Sequence, residues 1–326
     1  MNFLERFIHI KQPLENLFIK DDIYRYKTYN HNTKEKLYQR FINDFIHNKL
    51  LKPNRFLHTD ISSYIEKNVY KYTYAQWNIK DIIIEVWIGH LYNYVINTNI
   101  IIQIMNDLLH TVLSCLNITQ LDDNRYAFIF IPSPFEKCIP IDKQEKINEF
   151  HINSGYTQFN LDGDINLLIP NQCSVIYREE EWEKVFIHEC LHIFKADEGL
   201  QISLSSLNVD KPYYETYCEF WALYIISLYN SKIFNRSFTK EYENICRRCK
   251  IIWNKMKRFD LSRSHPNIKY YFKYPLYLLN HTNNYIHFII DHHNPHSLLQ
   301  TPTTNKKKYY SLFKQLLHKI DTNHAI

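Results

Sequence analysis

One string constrains the fold of this chain more than any other: Val185-Phe186-Ile187-His188-Glu189-Cys190-Leu191-His192-Ile193-Phe194. Its apolar residues, with Trp182 just upstream, demand burial, and they carry two histidines and a glutamate into the interior with them. Buried polar and charged groups are costly unless something pairs them. Either the imidazoles bond backbone carbonyls inside an ordinary core helix, or they share a cation. On a helix, positions i and i+4 lie on one face, so His188 and His192 can converge while Glu189 sits beside them. This is the HExxH spacing, in which two imidazoles hold a zinc ion and the glutamate acts as general base toward a water that the metal acidifies. Cys190 faces away from that side and is expected to pack. A β-like run, 173–177, precedes the helix, and Arg178-Glu179-Glu180-Glu181 is expected to form an acidic first turn.

A catalytic tetrahedral site needs a third protein ligand. Downstream lies Tyr213-Tyr214-Glu215-Thr216-Tyr217-Cys218-Glu219-Phe220-Trp221-Ala222, opening just after Pro212. Glu215 and Glu219 stand one turn apart on an otherwise apolar helix, where two carboxylates repel unless a cation or histidines lie between them. These residues resemble the gluzincin branch of zinc metallopeptidases, which pair an HExxH helix with a second helix bearing Glu-x-x-small-acid. The resemblance covers about residues 173 to 225. It implies one zinc ion per chain on His188, His192 and Glu215, with Glu189 catalytic and Glu219 hydrogen-bonded to a ligand histidine. A second register, with Glu219 as ligand through Glu219-Phe220-Trp221-Ala222, stays open. The pattern has Asn before the ligand glutamate, and here Tyr214 stands there, leaving the partner of His192 unassigned. Gluzincins stabilise the oxyanion with a Tyr or a downstream His; the candidates are Tyr213, Tyr214 and His281, with His265 and His287 further possibilities. The strings IYREEEWEKVFIHE and ETYCEFWA also resemble uncharacterised metallopeptidase-like proteins of large DNA viruses, in keeping with a composition rich in Ile, Asn, Lys and Tyr.

Around this motif the texture of the chain changes. Residues 1–122 read as a helical N-terminal part: Leu37, Phe41, Phe45 and Ile46 recur at helical spacing, as do Ile82, Ile83, Val86, Trp87, Leu91 and Tyr94, and a further helix is expected from about Ile100 to Leu116. Short β-rich runs follow at 126–132, 156–159, 165–169 and 173–177, separated by turn residues. From Arg178 onward the pattern is helical, with breaks near 208–212, Asn235, His265-Pro266 and Asn294-Pro295. The expected fold is α+β and mainly helical: a zincin-like core over 123–326 with a short twisted sheet leading into the HExxH helix.

Composition narrows the function. Four glycines, Gly89, Gly155, Gly163 and Gly199, cannot form a dinucleotide-binding or phosphate-binding loop. Lys and Arg exceed Asp and Glu by 39 to 34, and the clearest basic run, Lys306-Lys307-Lys308 before Tyr309 and Tyr310, reads as a solvated helix start, so nucleic acid is not the expected partner. Seven cysteines without regular spacing make no disulfide framework, and Cys246 and Cys249 form a single CxxC without a second pair. The N-terminus carries Glu5, Arg6, Lys11, Glu15 and Lys20, unlike a secretory leader, and no 18-residue apolar stretch exists. The expectation is a cytoplasmic protein (of a host cell, or a virion, if viral) acting on a peptide or protein substrate. Two other readings are a catalytically silent interaction protein that keeps a structural zinc site, and a metal hydrolase of non-peptide amides. The His292-His293-Asn294-Pro295-His296 cluster reads as a turn.

Overall fold

The computed structural model describes residues 41–79, 82–92, 96–116, 125–142, 144–159, 170, 172–197 and 213–259. Within them the chain is mixed α/β. A π-wound helix, Phe41–Leu50, comes first, then α1 (Thr59–Asn68), β1 (Val69–Ile79), β2 (Ile82–Leu91), α2 (Thr98–Leu116), β3 (Arg125–Ser133), α3 (Glu149–Ile152), β4 (Gly155–Gln158), β5 (Gln172–Arg178), α4 (Trp182–Ile193), α5 (Tyr213–Ile233) and α6 (Phe238–Met256). The strands form one sheet in the order β1-β2-β3-β5-β4. β2, β3 and β5 run parallel, while β1 and β4 lie antiparallel at the two edges.

The strand period of two divides the side chains between two faces. Ile84, Val86, Ile88, Tyr126, Phe128, Phe130 and Ile176 turn toward α2, α4 and α5. Trp87, Leu91, Ala127, Ile129, Ile131, Cys173, Val175 and Tyr177 turn the other way, against the π-wound helix and α1. Central parallel strands are therefore buried on both faces and read as unbroken apolar runs.

This corrects the helical reading of the N-terminal part. Residues 69–79 and 82–91 are a strand pair, and β2 hydrogen-bonds β3, so the sheet continues across the expected boundary near 122. Triple isoleucine at 82–84 and Val86 favour the extended chain, where branched side chains pack on a pleated surface. Glu85, buried at 3 % exposure, is accommodated by Arg125 at 2.7 Å and by the Tyr74 hydroxyl at 3.0 Å. The helix expected from Ile100 to Leu116 and the strands at 126–132, 156–159 and 173–177 are present within a residue or two. The 165–169 run lies outside the described residues, as do Leu37 and the breaks at 208–212, 266 and 295. The break at Asn235 is a turn with φ of 48° between α5 and α6. Among the described residues no helix is long and apolar enough to cross a membrane.

Arg178 ends β5 fully buried, and its guanidinium donates to three main-chain carbonyls: Asn153 at 2.8 Å, Phe135 at 3.0 Å and Phe150. It thereby fastens the segment leading into β4 to the end of the strand that feeds α4. Leaving buried acceptors unsatisfied costs about 1–3 kcal/mol apiece. Arg178→Met is expected to lower unfolding free energy by at least about 3 kcal/mol in urea titration, and Arg178→Lys to recover only part, since a single ammonium cannot reproduce the guanidinium fork.

Candidate metal centre

β5 passes through residues 179–181 straight into α4, with Glu181 at φ 58° making the sharp entry. The acidic stretch therefore precedes the helix rather than forming its first turn, and Glu181 caps nothing with its side chain. α4 lies on the sheet through Phe186 against Phe128, with ring centres 4.8 Å apart, and through Phe194 against Tyr126 at 5.2 Å. Cys190 is fully buried in this packing. The polar edge of α4 faces α5, whose Tyr217, Cys218 and Phe220 are buried beside it.

Between the two helices three ligand-type atoms converge. His188 Nε2 lies 3.0 Å from His192 Nε2. Glu215 Oε2 is 3.3 Å from the first and 3.5 Å from the second. Behind them, His188 Nδ1 meets Glu219 Oε2 at 3.2 Å, and His192 Nδ1 meets Asp197 Oδ2 at 2.8 Å. An ionised carboxylate only accepts, so each Nδ1 carries the hydrogen and each neutral ring turns its Nε2 lone pair inward. Two lone pairs and a carboxylate oxygen within 3.0–3.5 Å repel unless a proton or a metal cation sits among them. A tetrahedral ion with bonds of about 2.0–2.1 Å sets its ligand atoms about 3.3–3.4 Å apart, so this donor set fits zinc. His188, His192 and Glu215 are buried groups that could hold a metal ion.

His192, Asp197 and Cys218 also cluster, with Cys218 Sγ 3.6 Å from His192 Nδ1. Burial pushes the Cys218 thiol well above its usual range, which leaves it a neutral and poor ligand. This second group acts as the back of the His192 imidazole. Burial opposes ionisation of Glu215, yet a proton shared with the His188 and His192 rings outweighs it and holds its carboxyl far below the ordinary value. Burial likewise opposes Glu219, and Lys184, donating at 2.6 Å, brings it down to about 2. The two glutamates thus divide: Glu215 faces the lone pairs, and Glu219 holds the back of His188.

Glu189 lies off this triangle, on the side of β4. Its Oε2 accepts from Thr157 Oγ1 at 2.7 Å, and Ser174 Oγ lies 2.7 Å from the same hydroxyl. Burial raises the Glu189 pKa. Gly155 makes this approach possible: a Cβ there would stand 2.8 Å from Val175 O, 2.9 Å from Val185 and 3.2 Å from the Glu189 carboxylate.

Of the candidate oxyanion stabilisers, Tyr214 lies edge-on to His192 with ring centres 6.0 Å apart, and burial pushes its phenol up to about 12. Tyr213 opens α5, while His281, His265 and His287 lie outside the described residues, as do the 292–296 cluster and the Lys306–Lys308 run. Asp197, Thr157, Lys137 and Lys184 were not expected at the site. Helical spacing would not bring position i+5 to the back of His192; the chain does so by leaving the helix at Phe194 and turning through Lys195 at φ 55°.

The chain matches no family model, no curated protein and no solved structure.

The half-exposed Glu181 carries a pH signature distinct from that of the candidate metal ligands. Lys137, then Lys184, hold its carboxyl at about 2, below the ordinary 4.5. The stability this pair supplies is complete above pH 4.5 and disappears as pH falls through about 2. In chelator-treated protein, Glu181→Gln should flatten the acid limb of the stability profile between those values, and 0.5 M salt should shrink the wild-type slope, because exposed pairs are screened.

Proposed function

We propose that this chain is a zinc-dependent metallopeptidase of the gluzincin type, with His188, His192 and Glu215 as metal ligands and Glu189 as general base. The observation that carries the reading is the inward convergence of two imidazole Nε2 atoms and Glu215 Oε2, with Glu189 on the wall of a pocket that His188 also lines. Five strands with an antiparallel edge beside the motif helix support a zincin-like core. Where the gluzincin pattern has Asn before the ligand glutamate, Tyr214 stands here, and Asp197 supplies the hydrogen bond to His192 instead.

A zinc ion at this site would polarise a peptide carbonyl and acidify a water molecule. Glu189, its carboxylate steered by Thr157, takes the proton from the attacking water as the carbon–oxygen bond forms. The same carboxyl then delivers that proton to the amine nitrogen as the carbon–nitrogen bond breaks. Glu219 and Asp197 keep both Nδ1 hydrogens in place, so the ligand face of each ring stays inward.

The silent alternative, a structural zinc in an interaction protein, is less well supported. Structural sites close with four protein ligands, whereas three converge here among the described residues. It also gives Glu189 no work to do.

Elemental analysis and peptide digestion test the reading together. About one zinc per chain is expected in wild type. Glu189→Gln should keep that zinc and lose about 10²–10⁴-fold in turnover. Glu215→Gln should release most of the metal, while Glu219→Gln and Asp197→Asn should weaken metal affinity or activity by about 10–100-fold. Zinc lost in Glu219→Gln but kept in Glu215→Gln would reverse the ligand assignment, and a metal-free wild type would end the proposal.

A further inference from the structure

Beside Glu189 lies a small pocket, lined also by His188, Val185, Ile152, Ser154, Lys137 and Lys184. Its lining is part apolar, through Val185 and Ile152, and part charged, through Lys137 and Lys184 together with Glu189 and Glu219. Lys137 and Lys184 keep only 16 % and 14 % of their side chains exposed. The two ammonium groups are served by two carboxylates: Lys137 Nζ reaches Glu181 at 3.2 Å, and Lys184 Nζ reaches Glu219 at 2.6 Å and Glu181 at 3.6 Å. Glu219 is already engaged through its other oxygen with His188. Glu181 is half-exposed and shared between both lysines. The Ser154 side-chain oxygen is buried and has no hydrogen-bond partner among the described residues. An ammonium group has three N–H donors, and among the described residues Lys137 Nζ meets a single side-chain partner, the Glu181 carboxylate that it shares with Lys184.

We infer that this pocket receives the carboxylate of an acidic side chain, Asp or Glu, on the residue flanking the scissile bond, with Lys137 as its main counter-ion and Ser154 as a second donor. The inference rests on the peptidase reading for the position of the scissile bond, which Glu189 and His188 set by lining the same pocket. Lys137 is the cation with most to gain from a further anion. Desolvation lowers its pKa despite Glu181, so its charge is incompletely compensated in the free protein. An amide isostere would offer the same shape without the charge, and hydrogen bonds to ionised partners are roughly twice as strong as neutral ones.

The test uses full-length, zinc-loaded protein and two matched probes. In the first arm, short peptides bearing a zinc-binding hydroxamate, with Glu or Gln next to it, are titrated into the Glu189→Gln variant by calorimetry. In the second, peptides differing only in Glu or Gln beside the cleaved bond are digested by wild type. The acidic member should be preferred by about 10-fold or more in both arms. Lys137→Met should bring the ratio close to one while leaving the Gln member within about threefold, and Lys137→Arg should retain the preference. If Lys137→Met does not fold, the wild-type Glu-to-Gln ratio decides alone. Acid-selective hydroxamate binding without any cleavage would keep the pocket assignment and remove the peptidase reading. Cleavage with equal rates for both peptides would keep the peptidase reading and overturn the pocket assignment, as would selectivity that survives Lys137→Met.

Discussion

Placing ionised groups inside hydrocarbon is the constraint on which the centre of this molecule depends. Glu215, Glu219, Asp197, His188 and His192 are all buried at 1–7 % exposure, enclosed by the apolar side chains of α4, α5 and the sheet. Any one of them alone would be penalised by several kcal/mol on transfer from water. They persist because each meets a partner: Lys184 against Glu219, Glu219 against the Nδ1–H of His188, Asp197 against the Nδ1–H of His192, and Glu215 against the two inward nitrogens, where a proton or a metal cation completes the set. Such a chain of contacts is intolerant of single deletions, since each removal strands a neighbour. It also pins two imidazoles at one orientation, which is what a metal ligand requires.

The scaffold delivers these groups by one covalently short path and one longer one. β5 leads into α4 with three residues between them, so the sheet fixes the start of the helix that bears both histidines and Glu189. Arg178 sits at that junction and binds the carbonyls of 135, 150 and 153, tying the approach to β4 to the same point. Edge strand and motif helix are therefore fastened at one junction. α5 brings Glu215 and Glu219 from further along the chain, held to α4 by buried aromatic and aliphatic contacts.

Much of this arrangement could be read from the sequence, for reasons that differ from element to element. The spacing of His188 and His192 and the one-turn offset of Glu215 and Glu219 are local, and helical geometry translates them directly into shared faces. β3 and β5 were legible as β-branched and aromatic runs closed by turn residues. β2 was not, because a continuous apolar run buried on both faces carries no period of two, and Ile82, Val86 and Leu91 happen also to fit a helix. Asp197 was hidden for another reason: it reaches His192 only because Lys195, a residue with a Cβ, adopts a left-handed conformation that helical spacing does not forecast. Lys137 lies forty-seven positions before Lys184, and only the fold brings the two ammonium groups to one pocket.

The close approach at Gly155 bears on how far a chain of this kind can drift in sequence. α6 displays Ile251 and a succession of charged side chains to solvent, where a larger side chain has room to extend. At residue 155 the tolerance is a few tenths of an ångström, because a methyl group would press on a main-chain carbonyl of β5, on Val185 and on the Glu189 carboxylate at once. The carbonyl cannot yield without parting β4 from β5, so the helix would have to give way, carrying Glu189 off its Thr157 hydrogen bond. The gap between sheet and helix is thus set by a missing side chain. Evolutionary latitude at this centre is narrowest at a position that contributes no functional group of its own.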